Sequence, residues 1–440
     1  MTDELQAPGD PPGAFPCPPG LTVHAGDCLD LLRTMPDASV DAVVTDPPAG
    51  IAFMGKDWDR DKGGRDAWVA WLTSVMTEVR RVLKPGGHAL VWALPRTSHW
   101  TATALEDAGL EIRDCVVHLF GSGFPKSLDI GKAIDKAAGA EREVVGRILS
   151  PAGNGKAGTV ALGGAWQDAP VITAPATDDA KRWDGWGTAL KPGQEHWWLV
   201  RKPLEGTVAA NVLAHGVGGL NVDGCRIPMT DADREVVDKR SGADDGQRDG
   251  IYSDGLGLRA PGERFTSHTA GRWPANLVLT HSADCPEGGP CAGDCPVAEL
   301  DGQSGWSKSP DKVVQGQSRA QQTGQMYSGR DQRNRREVPG HGDSGGASRF
   351  FPTFRYQAKA PARERPRLPD GTAWPTVKPL GLMRWLVRLI TPPGGLVLDP
   401  FGGTGTTAEA CALEGFRCVL IESDPTALEL TRVRLDRLAS

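Results

Sequence analysis

Hydrophobic residues in the first quarter of the chain fall into short runs separated by amphipathic stretches. The apolar runs predict buried β-strands at 21–25, 39–45, 88–94 and 110–120. Helices are predicted between them at 28–35, 66–82 and 98–108, and a turn at 84–87. This alternation is typical of a parallel sheet covered by helices, so it predicts an α/β fold.

The same alternation returns near the C-terminus. A strand is predicted at 395–398, a helix over about 406–414 and another strand at 416–421. The stretch 121–350 is less regular, with one strand predicted at 196–200 and long loops over most of the remainder. The pattern therefore predicts one folded domain in two halves, 21–120 and 351–440, with a loop-rich insert at 121–350 between them.

Composition supports this division. The 56 Gly and 35 Pro residues make up about 21 % of the chain, against a usual level of roughly 12 %. Residues 1–20 are Pro-rich and predict a disordered lead. Because no apolar run approaches the ~20 residues that span a membrane and no signal-peptide pattern is present, we expect a cytoplasmic protein. Its nine cysteines then favour packing or metal binding over disulfides.

A glycine-rich turn links the C-terminal strand to its helix. Asp399 ends the strand, Pro-Phe-Gly-Gly-Thr-Gly follows, and Glu422 ends the next strand 20 residues after Gly402. That spacing brings an acidic side chain to ribose hydroxyls in nucleotide-binding folds. Asp399 would repel a pyrophosphate but attract an ammonium or a sulfonium. The turn therefore favours S-adenosylmethionine over NAD, with an ordinary strand-to-helix turn as the alternative.

Only about 35 residues follow this turn, too few to complete a sheet. Strands from earlier in the chain must therefore pack beside it. We expect the strand at 21–25 to lie next to the strand that ends at Glu422, which places Asp27 near the adenine of the cofactor.

Asp46, Pro47 and Pro48 follow the buried strand at 39–45. They should lie at the carboxyl edge of the sheet, where doubly wound sheets bind ligands. The two prolines remove two donors and stiffen the turn, so the carbonyls of Asp46 and Pro47 face outward as acceptors. Such acceptors suit an exocyclic amine held for in-line attack on a methyl sulfonium. A simple strand-terminating turn is the alternative.

Six ordered segments carry a resemblance to a known family. They are GDCLDLL (26–32), SVDAVVTDPP (39–48), VLKPGGHALVW (82–92), FRYQAKA with ARER (354–365), PTVKP (375–379) and LVLDPFGGTGTTAEAC (396–411). The chain resembles the site-specific amino-group DNA methyltransferases that modify adenine N6 or cytosine N4, in the permuted order with the catalytic motif before the cofactor motif. The resemblance implies a doubly wound, Rossmann-like, circularly permuted methyltransferase fold.

The resemblance also implies roles for individual residues. Asp46, Pro47 and Pro48 match the catalytic motif. Cofactor contacts are matched by Asp27, Asp399, Phe401, Gly403, Gly405, Thr406 and Glu422. Thr376 and Lys378 match a motif that lines the methionine end of the cofactor.

One position departs from the family pattern. The family usually has an aromatic residue after the two prolines, where it stacks on the flipped target base, and this chain has Ala49. Base stacking of this kind contributes about 1–3 kcal/mol. Phe53 and Trp58 are the nearest aromatics, so we hypothesise that one of them takes over this stacking. Packing in the core is the alternative for both.

The insert is where the target-recognition region of such enzymes falls, and its charge suits DNA. The net charge of the chain is −6, but 306–365 contains 12 Lys or Arg against 5 Asp or Glu. Arg333, Arg335 and Arg336 are candidates for phosphate contact. A solvated polar loop is the alternative for each of them.

A second feature of the insert is a cluster of metal-ligating residues, His281, Cys285, Cys291 and Cys295, within 15 residues. Four N/S ligands with Pro, Gly and Asp between them can fold around one ion and suit structural zinc, although the spacing is not that of a standard finger. Free loop cysteines are the alternative.

Together these features predict an enzyme of restriction-modification type that methylates a flipped base in double-stranded DNA. Asp rather than Ser at the first catalytic position favours adenine N6 modestly over cytosine N4. Cytosine N4 methylation, an RNA or protein amide substrate, and a DNA-binding relative that has lost catalysis stay open as alternatives. No membrane partner is expected, and a homodimer is a further hypothesis.

Overall fold

The fold comes from a computed structural model of the chain, which describes residues 17–52, 55, 59–120, 127–147, 171–227, 271–282, 285, 290–293, 295–308, 312–316, 335–339, 344–354 and 364–439. Two compact units are present, Met1–Gly121 with Gln194–Ser440 and Ser122–Gly193. Most of the predicted disordered lead lies outside the described residues. Among the described residues, no helix has the length and apolar character to cross a membrane.

Strands and helices alternate along most of the described chain. The strands are β1 (Leu21–Ala25), β2 (Val40–Thr45), β3 (Leu83–Ala93), β4 (Glu111–Leu119), β5 (Val144–Arg147), β6 (Val171–Thr173), β7 (Gln194–Arg201), β8 (Leu277–Thr280), β9 (Ser307–Lys308), β10 (Lys312–Gly316), β11 (Arg335–Pro339), β12 (Ser344–Gly345), β13 (Thr353–Phe354), β14 (Leu396–Asp399) and β15 (Arg417–Glu422). The α-helices are α1 (Cys28–Thr34), α2 (Arg65–Val82), α3 (Ser98–Asp107), α4 (Ile130–Ala137), α5 (Asp178–Arg182), α6 (Val208–His215), α7 (Pro296–Ser304), α8 (Leu380–Ile390), α9 (Thr406–Glu414) and α10 (Pro425–Ala439).

A nine-stranded sheet organises the larger unit, in the order β1-β15-β14-β2-β3-β7-β4-β8-β13. Neighbouring strands are parallel except for β7, which runs antiparallel between β3 and β4. The chain leaves β14 toward β15 on one side and β2 toward β3 on the other, so adjacent β14 and β2 form a topological switch point. This arrangement confirms the predicted doubly wound, Rossmann-like α/β fold.

The sheet also confirms the predicted neighbour of the first strand, because β1 pairs with β15 and Ala25 lies opposite Glu422. In chain order the Asp-Pro-Pro turn precedes the glycine turn, and the permutation of the family order stays a prediction. Strands β7 and β8 come from the stretch predicted as an insert. That stretch therefore builds part of the central sheet.

The turn predicted at 84–87 is wrong as a strand boundary, since β3 already begins at Leu83. The register with β2 jumps from Val40–Leu83 to Ala42–His88, so the intervening residues bulge out of the ladder. Gly86 sits in this bulge with φ +75°, and its amide donates to the carbonyl of Lys202 at 3.1 Å. The glycines that predicted a turn thus form a bulge inside the strand.

Helices pack on both faces of the sheet because its strands are apolar on both sides. Side chains of β2 alternate, with Val43 in a cluster that includes α1, α2 and α3, and Val44 in a cluster that includes α8, α9 and α10. The second cluster is centred on α8, where Leu386 is fully buried. Such two-sided cover is what a parallel sheet requires.

The smaller unit is built around one buried carboxylate on α4. Asp135 accepts hydrogen bonds from the amides of Ala176 and Thr177, each at 3.0 Å, and from Arg142 Nη1 at 2.6 Å. Although burial acts to raise it, these donors hold the pKa of Asp135 below its usual range. Asp135 therefore ties α4 to the segment that leads into α5.

Removing a core side chain of α8 tests this packing. We expect Leu386→Ala to lower the free energy of unfolding by about 2–5 kcal/mol, because it leaves a cavity under the sheet. Leu413→Ala on α9 is the matched control, because Leu413 is 45 % exposed, and it should change that free energy by less than about 0.5 kcal/mol. Urea denaturation followed by circular dichroism measures both, and equal losses would contradict the core position of α8.

Candidate active site at the switch point

Two acidic residues meet where β14 and β2 end. Asp399 closes β14, and Asp46 follows directly after β2. Thr45 Oγ1 donates to Asp399 Oδ1 at 2.6 Å, and Thr407 Oγ1 donates to Asp399 Oδ2 at 2.6 Å. Burial nevertheless raises the pKa of Asp399 to about 6. The site therefore holds a carboxylate whose charge a bound cation would stabilise.

The glycine turn after Asp399 depends on residues that lack a side chain. A Cβ on Gly402 would collide with the side chain of Leu420 on β15. Gly405 has φ +76° and caps α9, whose first residue, Thr406, is buried. The turn can therefore pass close to the sheet, where the Gly402 amide donates to the carbonyl of Ile421 at 2.8 Å.

Glu422 and Asp27 lie beside this turn. The Gly403 amide donates to Glu422 Oε2 at 2.7 Å, and the Ser423 and Asp424 amides donate to Oε1 at 2.8 and 2.7 Å. Burial raises the pKa of Glu422. Asp27 is exposed and caps α1, accepting from the Leu29 amide at 2.9 Å. The structure thus brings Asp27, Glu422 and the glycine turn to one edge, while their contacts with a cofactor stay predictions.

The Asp46 carboxylate is paired with a lysine from far along the chain. Lys378 Nζ lies 3.0 Å from Asp46 Oδ2 and 3.9 Å from Glu195 Oε2. The same ammonium stands 3.8 Å from the ring centroid of Trp92. Burial raises the pKa of Asp46, and Lys378 opposes that rise. Lys378, which matches a motif that lines the methionine end of the cofactor, therefore forms an ion pair with the predicted catalytic carboxylate.

Glu195 is a part of this network that the sequence reasoning missed. It lies on β7, opposite His118 on β4, whose Nδ1 is 4.0 Å from Glu195 Oε2. Burial acts to raise the pKa of Glu195, but Lys378 and His118 outweigh it and lower that pKa to about 2. The sequence did predict a strand at 196–200, next to Glu195. It did not show that this strand pairs antiparallel with β3, which is what brings Glu195 to the site.

The loop after Pro48 is held by Asp59, a second residue that was missed. The Gly50 amide donates to Asp59 Oδ1 at 2.9 Å, and Thr97 Oγ1 donates to the carbonyl of Ala49 at 3.0 Å. These bonds fix the position where the family has its aromatic residue. Phe53 and Trp58 lie outside the described residues.

The other predicted site residues are spread over the glycine turn, the segment before α8, the β10–β11 ribbon and the segment after β8. Phe401 lies in the glycine turn and is half-buried, with its ring centroid 5.8 Å from that of Trp71. Thr376 is exposed before α8. Arg335 and Arg336 belong to β11, which pairs with β10 as a two-stranded ribbon, and Arg333 lies outside the described residues. His281 and the three cysteines of the predicted metal site converge on one point, with all four ligand atoms within 4.8 Å of one another.

The sheet and its switch-point turn define a Rossmann-like α/β protein. Within that class, the family model described as DNA methylase, covering the N6 and N4 enzymes, matches residues 40–122 and 306–432. This match, over just under half of the chain, supports the family of amino-group DNA methyltransferases.

Curated relatives match over shorter stretches. Type II methyltransferase M.BamHI of Bacillus amyloliquefaciens is 34 % identical over 74 residues, which are 17 % of this chain and 18 % of the relative. Type II methyltransferase M.BglII of Bacillus subtilis is 30 % identical over 110 residues, 25 % of this chain and 27 % of the relative. The chain thus aligns with about a fifth to a quarter of the length of these relatives.

Two solved structures are similar at low identity. The PvuII DNA methyltransferase, described as cytosine-N4-specific, is 12 % identical with a TM-score of 0.39, covering 94 % of this chain and 86 % of its own. TTHA0409 from Thermus thermophilus, complexed with S-adenosyl-L-methionine, is 16 % identical with a TM-score of 0.37, covering 94 % of each chain.

The buried carboxylate of Asp399 should make stability depend on pH. Its pKa is about 6 in the folded protein and near 3.8 without the fold, so the folded state holds this proton more tightly. Stability should therefore fall as pH rises from about 4 to about 6 and then level off. Asn at this position carries no charge at any of these pH values, so Asp399→Asn should not show this loss. Between pH 4 and pH 7 the difference in free energy of unfolding between the variant and the parent protein should therefore shift by about 1–3 kcal/mol in favour of the variant.

Thermal unfolding of the ligand-free protein between pH 4 and pH 7 measures the effect. The test depends on how the stability difference changes with pH, because altered hydrogen bonds to Thr45 and Thr407 change the stability of the variant equally at every pH. Asp107→Asn, at the exposed end of α3, is the matched control and should follow the parent protein. A difference between Asp399→Asn and the parent that does not vary with pH would contradict the raised pKa.

Proposed function

We propose that the protein is an S-adenosylmethionine-dependent DNA methyltransferase that modifies the exocyclic amine of a base flipped out of double-stranded DNA, with adenine N6 as the target. The observation that carries this proposal is the contact of the two turns at one switch point. Thr45, the residue before Asp46, donates to the carboxylate of Asp399, the residue before the glycine turn. A site for the amine and a site for the methyl donor are thereby held side by side.

The cofactor side of the site suits a cation with a nucleoside. S-adenosylmethionine supplies a methyl group on a positively charged sulfur. The buried carboxylate of Asp399 carries a desolvation cost that a neighbouring positive charge would relieve. We assign Glu422 to the ribose and Asp27 to the adenine, because both lie on the strand ends beside the glycine turn.

The amine side of the site is the Asp46 turn. An exocyclic amine is a weak nucleophile because its lone pair is conjugated with the ring. Acceptors on both N–H groups draw the lone pair out of the ring and point it at the methyl group. Lys378 bonds one oxygen of Asp46, so we assign the other oxygen, with the carbonyl of Pro47, to the amine. No covalent enzyme nucleophile is required.

The choice between adenine N6 and cytosine N4 as the target rests on Asp46. A carboxylate at this position favours adenine N6, and cytosine N4 is the alternative because the same acceptors fit its amine. Phe53 or Trp58 is proposed to stack on the flipped base in place of the aromatic that Ala49 replaces. The basic stretch 306–365, with Arg333, Arg335 and Arg336, is proposed to contact DNA phosphates. A homodimer stays a prediction.

Replacing the central carboxylate tests the proposal. We expect Asp46→Ala to lower the rate of methyl transfer by about 100-fold or more, because the amine loses its positioning acceptor. Binding of the cofactor, measured by isothermal titration calorimetry, should persist because Asp399 and Glu422 are unchanged. The assay incubates the protein with labelled S-adenosylmethionine and unmethylated genomic DNA, then digests the DNA to nucleosides for mass spectrometry.

The nucleoside found decides the base. N6-methyladenine supports the proposal in full, and N4-methylcytosine supports the enzyme class while overturning the base. Asp107→Ala, at an exposed end of α3, is the matched control and should keep full activity. Label transferred to RNA or protein but not to DNA, by a folded protein, would contradict the function.

Glu195 should act as a positioning residue through Lys378. Glu195→Gln keeps the shape but removes one of the two carboxylates on the ammonium, so we expect transfer to slow roughly 10- to 100-fold. Because Glu195 helps to raise the pKa of Asp46, the acid limb of the rate–pH profile should move to lower pH. Glu111→Gln is the matched control, since Glu111 pairs with Arg201 at 2.6 Å at the opposite edge of the same sheet. An unchanged rate and pH profile in Glu195→Gln would contradict the role.

A further inference from the structure

A group of four metal-ligating side chains lies outside the proposed active site, beyond the carboxyl end of β8. His281 follows that strand, Cys285 and Cys291 lie in the next segment, and Cys295 caps α7. One ligand atom from each, three thiol sulfurs and one imidazole nitrogen, lies within 4.8 Å of all the others. Four zinc ligands at about 2.3 Å from the ion lie roughly 3.8 Å apart, so only a small contraction would bring these atoms to a tetrahedron.

We propose that His281, Cys285, Cys291 and Cys295 bind one structural zinc ion. Three sulfurs and one nitrogen form the closed four-ligand donor set that structural zinc sites use. Thiolate ligands of this number exclude magnesium and calcium, which prefer oxygen.

The geometry around the imidazole supports a shared ion. His281 Nδ1 lies 3.4 Å from the sulfur of Cys291 and 3.4 Å from the sulfur of Cys295. A single ring N–H can point at only one of these sulfurs. An ion bound by Nδ1 and both sulfurs would account for their convergence on the same atom.

Backbone donors around the sulfurs form a second, independent observation. The Ala292 amide donates to Cys285 Sγ at 3.3 Å, and the Ser282 amide donates to Cys295 Sγ at 3.5 Å. Donors aimed at sulfur stabilise a thiolate, the form that binds metal, and such outer contacts orient the ligands of metal sites.

The position of the cluster indicates what the ion would do. The His281 amide donates to the carbonyl of Phe354 at 2.9 Å, next to the pairing of β8 with β13. Farther along α7, Asp301 accepts from the amide of Ser348 at 2.7 Å. Zinc would therefore tie α7 and the segment at 344–354 to the last strands of the sheet, at the same edge as the active site. A small hydrophobic cluster joins β8, α7 and the segment at 344–354, and the ion would add a rigid cross-link between them.

The experiment uses the purified full-length protein and zinc as the only probe. The protein is stripped of metal under reducing conditions, titrated with Zn(II) against a chromogenic chelator, and analysed by plasma mass spectrometry. We expect one tightly bound zinc per chain. Replacement by Co(II) should give the absorption of a tetrahedral thiolate site.

Two variants separate a specific site from adventitious binding. Cys285→Ser should lose stoichiometric zinc, whereas Cys115→Ser, a half-buried cysteine on β4, should keep it. Far-ultraviolet circular dichroism of both variants checks that the large sheet persists. If the parent protein binds no zinc while all cysteines titrate as free thiols, or if two of the three cysteines form a disulfide in the purified protein, the proposal is overturned. Equal zinc binding by Cys285→Ser and the parent overturns it as well.

Discussion

The pairing of β14 with β2 is the constraint on which the rest of the structure depends. It brings together two turns that are more than 350 residues apart in the chain, and the bond from Thr45 to Asp399 spans the seam. Each turn alone is an ordinary strand end. Side by side at a switch point, they bring Asp46 and Asp399 to one edge of the sheet, so the proposed amine and cofactor sites both depend on this pairing.

Four acidic residues lie at this edge of the sheet, and two kinds of contact stabilise their negative charge. Hydroxyl and amide donors surround Asp399 and Glu422, but no ion pair of either is found within the described part of the chain. Asp46 and Glu195 instead share the ammonium of Lys378. The charge of Asp399 and Glu422 is thus offset by hydroxyl and amide donors, whereas Asp46 and Glu195 have a positive countercharge in Lys378.

Local signals were enough to predict the parts of the site that depend on local chemistry. The apolar runs, the glycine turn after Asp399 and the stiff turn at Asp46 are each set within about ten residues. Glu195 was not predicted from the sequence, because its position depends on β7 pairing antiparallel between β3 and β4. This long-range pairing has no sequence signature. The bulge at 84–87 was missed because glycine marks turns and bulges alike.

The order of the strands in the sheet also sets the order in which the domain can fold. Strands β1 and β2 are made first, yet β1 pairs with β15, and β2 has β14 as one of its two neighbours. At about 5–20 residues per second, the wait between Thr45 and Asp399 on the ribosome is on the order of 20–70 s. Contacts of such long sequence separation also slow folding. During that interval an apolar strand edge lacks its final partner, and such an edge is prone to aggregation.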